Sequence, residues 1–492
     1  MRISRRLAPV AALLAAACGA GMGGPSVPAP VNGFRPEDRV VVGDFSRVNA
    51  IAATTDRVYV MYPSAVAIWR PLERRWDVPR APAIAGRLRD VTRAFIDPVD
   101  RSLWLGTSGG FIHYDPLANR WDEGVMAQPV NRLVPGTTVD DAMRDLPQLR
   151  GMASSLAIGP LMAQGTLTSA ARDPAGNGWF IGTSNRGLLF FDRMATSPVS
   201  ITLGLPGDAV GALALAPDGV WVATDYDGVH PSAVTHLATE LDQSATIAGT
   251  PSRGLLFNQS HRILVAGDTL WVATEKGVLR MIRNGDRIDR FDGTAGLPDD
   301  HVVALAHYRG RIVAGTMRGL AHSRGDSAFI ASNELMGEPV YSLFAAGDTL
   351  WVGTSRGLFA QLPGSDALRM PESYRALAGS SVAVMAIGYV ADTLVTMTQS
   401  QLLWRDPASG AWHDGPVLDR ELGPLTEFVP YANGAWVGGP RGAAFVRPVA
   451  GGLRYILGPG DLPGPLTAIA AHGQYLWIGT RAGLVRFLLV GQ

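Results

Sequence analysis

The stretch 350–358, Leu-Trp-Val-Gly-Thr-Ser-Arg-Gly-Leu, is written again and again along this chain, and that repetition constrains the fold more than any other feature. Five strand-like residues, with an aromatic in second place, lead into a short polar turn. The turn ends in Gly, which tolerates positive φ, and an apolar strand runs back: the pattern of a β-hairpin. Copies lie at 103–111, 179–188, 220–229, 270–278, 312–320, 435–443 and 476–484.

The second place of the hairpin serves as a ruler. It is held by Tyr59, Trp104, Phe180, Trp221, Trp271, Val313, Trp351, Val395, Trp436 and Trp477, so ten copies are present, and all intervals but one fall between 38 and 50 residues. That period accommodates four short strands, as in the blade of a propeller. An apolar run such as 302–306 precedes each hairpin, and a more polar run such as 287–291 follows it. Inner strands apolar on both faces with an alternating outer strand are what a sheet sandwiched between sheets requires. With 58 Gly and 34 Pro, the composition fits many turns. The expected fold class is therefore all-β, a β-propeller of four-stranded antiparallel blades filling 37–492.

The run 290–305, Arg-Phe-Asp-Gly-Thr-Ala-Gly-Leu-Pro-Asp-Asp-His-Val-Val-Ala-Leu, together with the Leu-Trp-Val-Gly-Thr-x-x-Gly-Leu hairpins, resembles the two-component regulator propeller repeat. The resemblance covers 40–492. It implies the propeller fold and a place in the bacterial envelope, where such repeats precede the transmembrane and kinase parts of sensors or stand without a kinase. No kinase or transmembrane output segment follows the last repeat here, so the expectation is a chain without output domains.

The ends bear on how the blades join. The last repeat lacks a fourth strand, while 39–42 (Arg-Val-Val-Val) precedes the first inner strand as an outer strand would. Pairing the two would protect an exposed edge. It also favours about ten blades in one closed ring; two smaller propellers are the alternative.

The first eighteen residues read as an export signal. Arg2, Arg5 and Arg6 precede an apolar stretch over 7–17 that is too short to span a membrane, and the small residues 15–17 lead into Cys18, the chain's one cysteine. This resembles a bacterial lipoprotein signal, although Ala15 stands where the lipobox prefers Leu; an ordinary secretory peptide is the alternative. Cys18 is thus the expected lipidation site, and 19–36, rich in Gly and Pro, a tether. The resulting location is the periplasm or cell surface, as an outer-membrane lipoprotein that meets the membrane only through its lipid.

Formal charge balances, 43 basic against 43 acidic residues, which offers no global attraction for nucleic acid. The turns between second and third strands share one face in such blades. They carry Arg186, Lys276, Arg318, Arg356, Arg441 and Arg481, with Tyr226 and Asp227 in the odd one, a candidate binding rim for a protein or an acidic envelope polymer. The one long interval leaves an insertion at about 124–165, in which 138–146 has a capping-type start and helical spacing. A short helix over the ring mouth is expected there, as a lid or docking element.

Catalytic constellations are weak. Gly-x-Ser-x-Gly occurs at 106–110 and 353–357, but inside the hairpin rather than at a strand-to-helix elbow. The clusters 299–301 and 225–228 lie at turns where Asp bonds locally. No catalytic residue, metal site or cofactor is expected. The sequence reads as an exported binding or scaffold module. The alternatives are an envelope lyase or hydrolase with its site in the central channel, and a sensory input subunit for a separate histidine kinase.

Overall fold

The computed structural model describes residues 39–489 apart from 44, 64, 78–84, 127–137, 151–165, 202, 229, 249–256, 283–286, 326, 379–381 and 450–451. The signal segment, Cys18 and the tether lie outside the described residues, as does much of the insertion. Among the described residues no helix is long and apolar enough to cross a membrane.

Ten four-stranded antiparallel sheets account for the strands, as the repeat period requires. Numbered by their innermost strands, sheets 1 to 9 occupy 50–76, 93–126, 167–201, 210–248, 260–291, 302–331, 340–369, 386–417 and 427–457. Sheet 10 consists of Leu466–His472, Tyr475–Thr480, Gly483–Leu488 and, outermost, Val40–Val42. The pairing of first strand with last is therefore as expected, with Val40 opposite Arg486 and Val42 opposite Leu484.

The expected single ring of ten is not what this pairing produces. Innermost strands touch in the order 4, 5, 6, 7, 8, 9, 10, and sheet 10 then lies directly against sheet 4. Sheets 1 to 3 stand apart from that cycle in the order 2–1–3, with sheet 1 between the other two. The reason lies in which faces fit. Gly479 of sheet 10 has no side chain, and a Cβ there would sit 2.5 Å from Val210 Cγ1 of sheet 4. Thr467 Oγ1 donates to Val210 O at 2.7 Å across the same seam. No room for three further sheets exists there. Val40–Val42 completes sheet 10, the chain then departs to build the three-sheet arc, and it returns beside its point of departure, where Leu205 N donates to Gly43 O at 3.3 Å.

The arc also explains the long interval. Sheets 2 and 3, consecutive in the chain, flank sheet 1 and are not neighbours. Helix α1 (Val139–Asp145) forms where the spacing places it, closed by a capping box in which Thr138 and Asp141 exchange bonds. It does not lie over the ring mouth. Ala142 and Leu146 pack against Trp179, Ile181 and Phe191 of sheet 3. Those residues share the sheet face turned away from sheet 1, whose own contacts are with Ala171 and Phe180. The helix thus covers apolar surface that a neighbouring sheet would otherwise have buried.

Arc and cycle share one core cluster. Phe45, Val48 and Ile51 meet Leu205, Val210 and Leu484 in it, and Trp76 N donates to Asp242 O at 3.2 Å.

Candidate functional site

The repeated hairpin itself is accounted for by turn chemistry. In the copy at 349–361 the hydroxyl of Thr354 donates to Gly357 O at 3.0 Å and accepts the Arg356 N–H at 3.1 Å. Gly357 has φ of 122°, a conformation that side chains resist. Thr274, Thr316 and Thr480 repeat the same pair of bonds. Ser355 donates to Glu338 Oε2 at 2.9 Å, so this Gly-x-Ser-x-Gly serine is part of a turn.

The eight candidate rim residues divide. Arg186 belongs to sheet 3, outside the seven-sheet cycle, and is not brought together with the rest. The other seven lie at turns of the cycle, and several are already neutralised. Lys276 Nζ is 3.8 Å from Glu275, and Arg356 Nε is 3.3 Å from Glu338. Arg441 Nη2 donates to Asp419 O at 2.8 Å. Tyr226, half exposed, bonds only to Gly228 O, and Asp227 holds both N and Nδ1 of His230. Arg318 stands at the turn with its N–H on Thr316. Arg481 is the exception in kind: its Nη1 is 2.7 Å from Oδ2 of Asp225, a carboxylate only 1% exposed. The other oxygen of Asp225 accepts from Ser260 N at 2.8 Å and Ser260 Oγ at 2.6 Å. Burial pushes the Asp225 carboxyl up, and these donors and Arg481 pull it back. Arg481 therefore ties sheet 10 to sheets 4 and 5.

Behind those turns lies the start of each innermost strand of the cycle. A one-residue bulge interrupts the pairing there in sheets 4, 5, 6, 7 and 10, and in sheet 5 the extra residue is His261. Its ring stacks on His301, centroids 4.9 Å apart at 19°, and its buried Nε2 has no hydrogen-bond partner. Desolvation, with the electrostatic influence of the neighbouring His301 ring adding to it, pushes the His261 pKa down to about 4.

The following register position is Ala212, Ala304, Ser342, Ala386 or Ala468 in five sheets of the cycle. In the other two it is Arg262, opposite Ala273, and Glu427, opposite Gly438. Small residues let innermost strands converge; the two charged ones reach each other instead. Arg262 Nη1 lies 3.6 Å from Glu427 Oε2 although sheets 5 and 9 are not neighbours, so the pair reaches across the cycle. Glu427 is 10% exposed and Arg262 39%. Burial raises the Glu427 carboxyl, opposed by Arg262 and by the Ile469 N–H. Sequence reasoning missed both residues. The signal was available, since aligning the repeats by register shows a charge only in these two copies.

Among the described residues, no group of three or more His, Cys, Asp or Glu is placed to hold a metal ion.

No protein-family model matches the chain, and no curated protein is similar to it. Solved structures align with it at low identity. PorZ, an essential surface component of the type-IX secretion system of Porphyromonas gingivalis, aligns over 90% of this chain and 69% of its own at 12% identity, TM-score 0.48. Virginiamycin B lyase from Staphylococcus aureus aligns over 57% of this chain and 94% of its own at 11% identity, TM-score 0.46. The extracellular domain of a candidate one component system from B. thetaiotaomicron aligns over 89% and 70% at 12% identity, TM-score 0.41.

Proposed function

We propose that this chain is an exported binding module of the bacterial cell envelope, anchored by a lipid on Cys18. In this reading sheets 4 to 10 act as a seven-bladed propeller whose turn end receives a protein or an envelope polymer. The observation that carries it is the Arg262–Glu427 pair, which brings opposite charges from non-neighbouring sheets to one channel mouth. A fold held by apolar contacts between blades has no structural need for a charge pair at a position where five other sheets use Ala or Ser. Tyr226, Arg318, Arg356 and Arg441 stand around that mouth as the outer contact surface.

The test is capture from envelope extract by the immobilised protein. A variant carrying Arg318→Glu, Arg356→Glu and Arg441→Glu is expected to lose what the native chain retains. A control with three exposed arginines of the arc reversed is expected to keep it. Equal capture by both would contradict the turn end as the binding face. Membrane fractionation of Cys18→Ser tests the anchor, which predicts release into the soluble fraction.

A second reading, an envelope lyase or hydrolase with its site in the channel, draws on the stacked His261 and His301 near the partly buried carboxylate of Glu275. It predicts release of soluble fragments from envelope polysaccharide or peptide by the native protein and none by His261→Ala. Absence of fragments with the native protein would count against it.

A further inference from the structure

We infer that the channel mouth is a receptor for a carboxylate carried on an apolar tail, with Arg262 as its anchor; this rests on the binding-module reading and names what the mouth takes. A guanidinium offers five N–H donors in a planar fork that matches a carboxylate in two parallel bonds. Among the described residues the Arg262 guanidinium makes no hydrogen bond, and its one ion-pair contact is the 3.6 Å approach to a single oxygen of Glu427. The turn arginines differ, for Arg356, Arg441 and Arg481 already have close acceptors.

Glu427 does a different job. It is buried and stops short of hydrogen-bond distance, so its charge holds Arg262 across the mouth without occupying the donor fork. The side chains one layer further in fit the tail. On the same face of the innermost strands, two residues along, stand Leu264, Phe344 and Val429, opposite Trp271, Trp351 and Trp436. All three are partly exposed, and each packs against the core between its own sheet and the next, so the charged pair is bordered by apolar surface. A charged head at Arg262 with an apolar body against this layer matches both chemistries; a polyanion or a sugar matches only the first.

Two sources carry such a group, a free acyl carboxylate and the C-terminus of a peptide ending in apolar residues. Calorimetry on the full chain separates them, using heptanoate, leucyl-leucine, and as controls heptanol and leucyl-leucine amide. The inference expects at least one acid to bind, its neutral counterpart to bind at least tenfold more weakly, and the tighter acid to identify the source. Arg262→Gln is expected to weaken binding at least tenfold, and Glu427→Gln, which releases Arg262 from its place across the mouth, to weaken it by a smaller factor. Arg262→Lys keeps the charge and loses the fork, and should weaken binding while the protein remains folded by circular dichroism.

No binding of either acid by the folded native chain overturns the inference. So does equal binding by the native chain and the folded Arg262 variants, which would leave the pair as a brace only. The two readings fail separately. Acid binding that persists while envelope capture ignores the turn residues would sink the turn-end module alone. Capture that depends on the turns, without acid binding, would sink only the carboxylate receptor.

Discussion

Arg481, at the tip of the last hairpin, holds its Nη1 2.7 Å from Oδ2 of Asp225, a carboxylate buried at the start of the turn of sheet 4. The bond joins the last sheet of the cycle to its first. Removing the cation leaves a buried carboxylate with only the Ser260 donors. Loss of one member of a buried pair costs about 3–5 kcal/mol; because Arg481 is itself 47% exposed, solvent screening brings the expectation for Arg481→Met to about 1–3 kcal/mol. Chemical denaturation checks this, and Asp225→Asn in the same background is expected to recover part of the loss.

The approach of sheet 10 to sheet 4 depends equally on what is missing. Any side chain at Gly479 meets Val210, so Gly479→Val is expected to force the seam apart and cost about 1–3 kcal/mol. The paired change Val210→Gly should return some stability, which a double-mutant cycle would read as coupling.

Val42 is 1% exposed and seals the edge of Gly483–Leu488. Val42→Asp is expected to destabilise the protein by at least about 2 kcal/mol, the cost of losing a buried Val, and to leave an open strand edge. Light scattering during thermal unfolding should show association setting in at lower temperature than in the native chain.

The folded pKa of His261, about 4, lies below the ordinary histidine value of 6.5, so between those pH values the unfolded chain binds the extra proton. Stability from this group is full above pH 6.5 and is lost as pH falls towards 4. Asp225 and Glu427 have raised folded pKa values, so each favours the folded state as pH falls through its own raised value. Around His261 stand His301, Glu275, Arg262 and Arg481. Replacing His261 by Phe is therefore expected to flatten the acid loss of melting temperature between pH 6.5 and 4; an unchanged slope would show that His261 does not carry it.

The repeats could be read because each hairpin states its own turn chemistry: Thr354, Arg356 and Gly357 determine a local structure whatever surrounds them. The pairing of 40–42 with the last sheet followed from a missing fourth strand, and α1 from its capping residues. The spatial order of the sheets was not legible. Hairpins of nearly equal sequence carry no label for their neighbour, and the choice rests on side-chain fit such as Gly479 against Val210. Hence α1, which packs on sheet 3, was expected over the ring mouth instead. The site was hidden for a related reason. Arg481 stood out at a turn but serves a buried acid, whereas Arg262 and Glu427 sit in runs that look like ordinary strand until the repeats are laid in register.

The most direct test of the cyclic order is a short-reach cross-link between Glu240 of sheet 4 and Tyr475 of sheet 10, whose Oε1 and hydroxyl lie 3.4 Å apart. With Cys18→Ser as background, Glu240→Cys and Tyr475→Cys together are expected to join within one chain under a short thiol-reactive linker, detected as an intramolecular cross-linked peptide. In a single ring of ten, sheets 1 to 3 would separate these positions. Failure of the pair to join in the folded protein, while a control pair within sheet 10 does, would contradict the seven-sheet cycle.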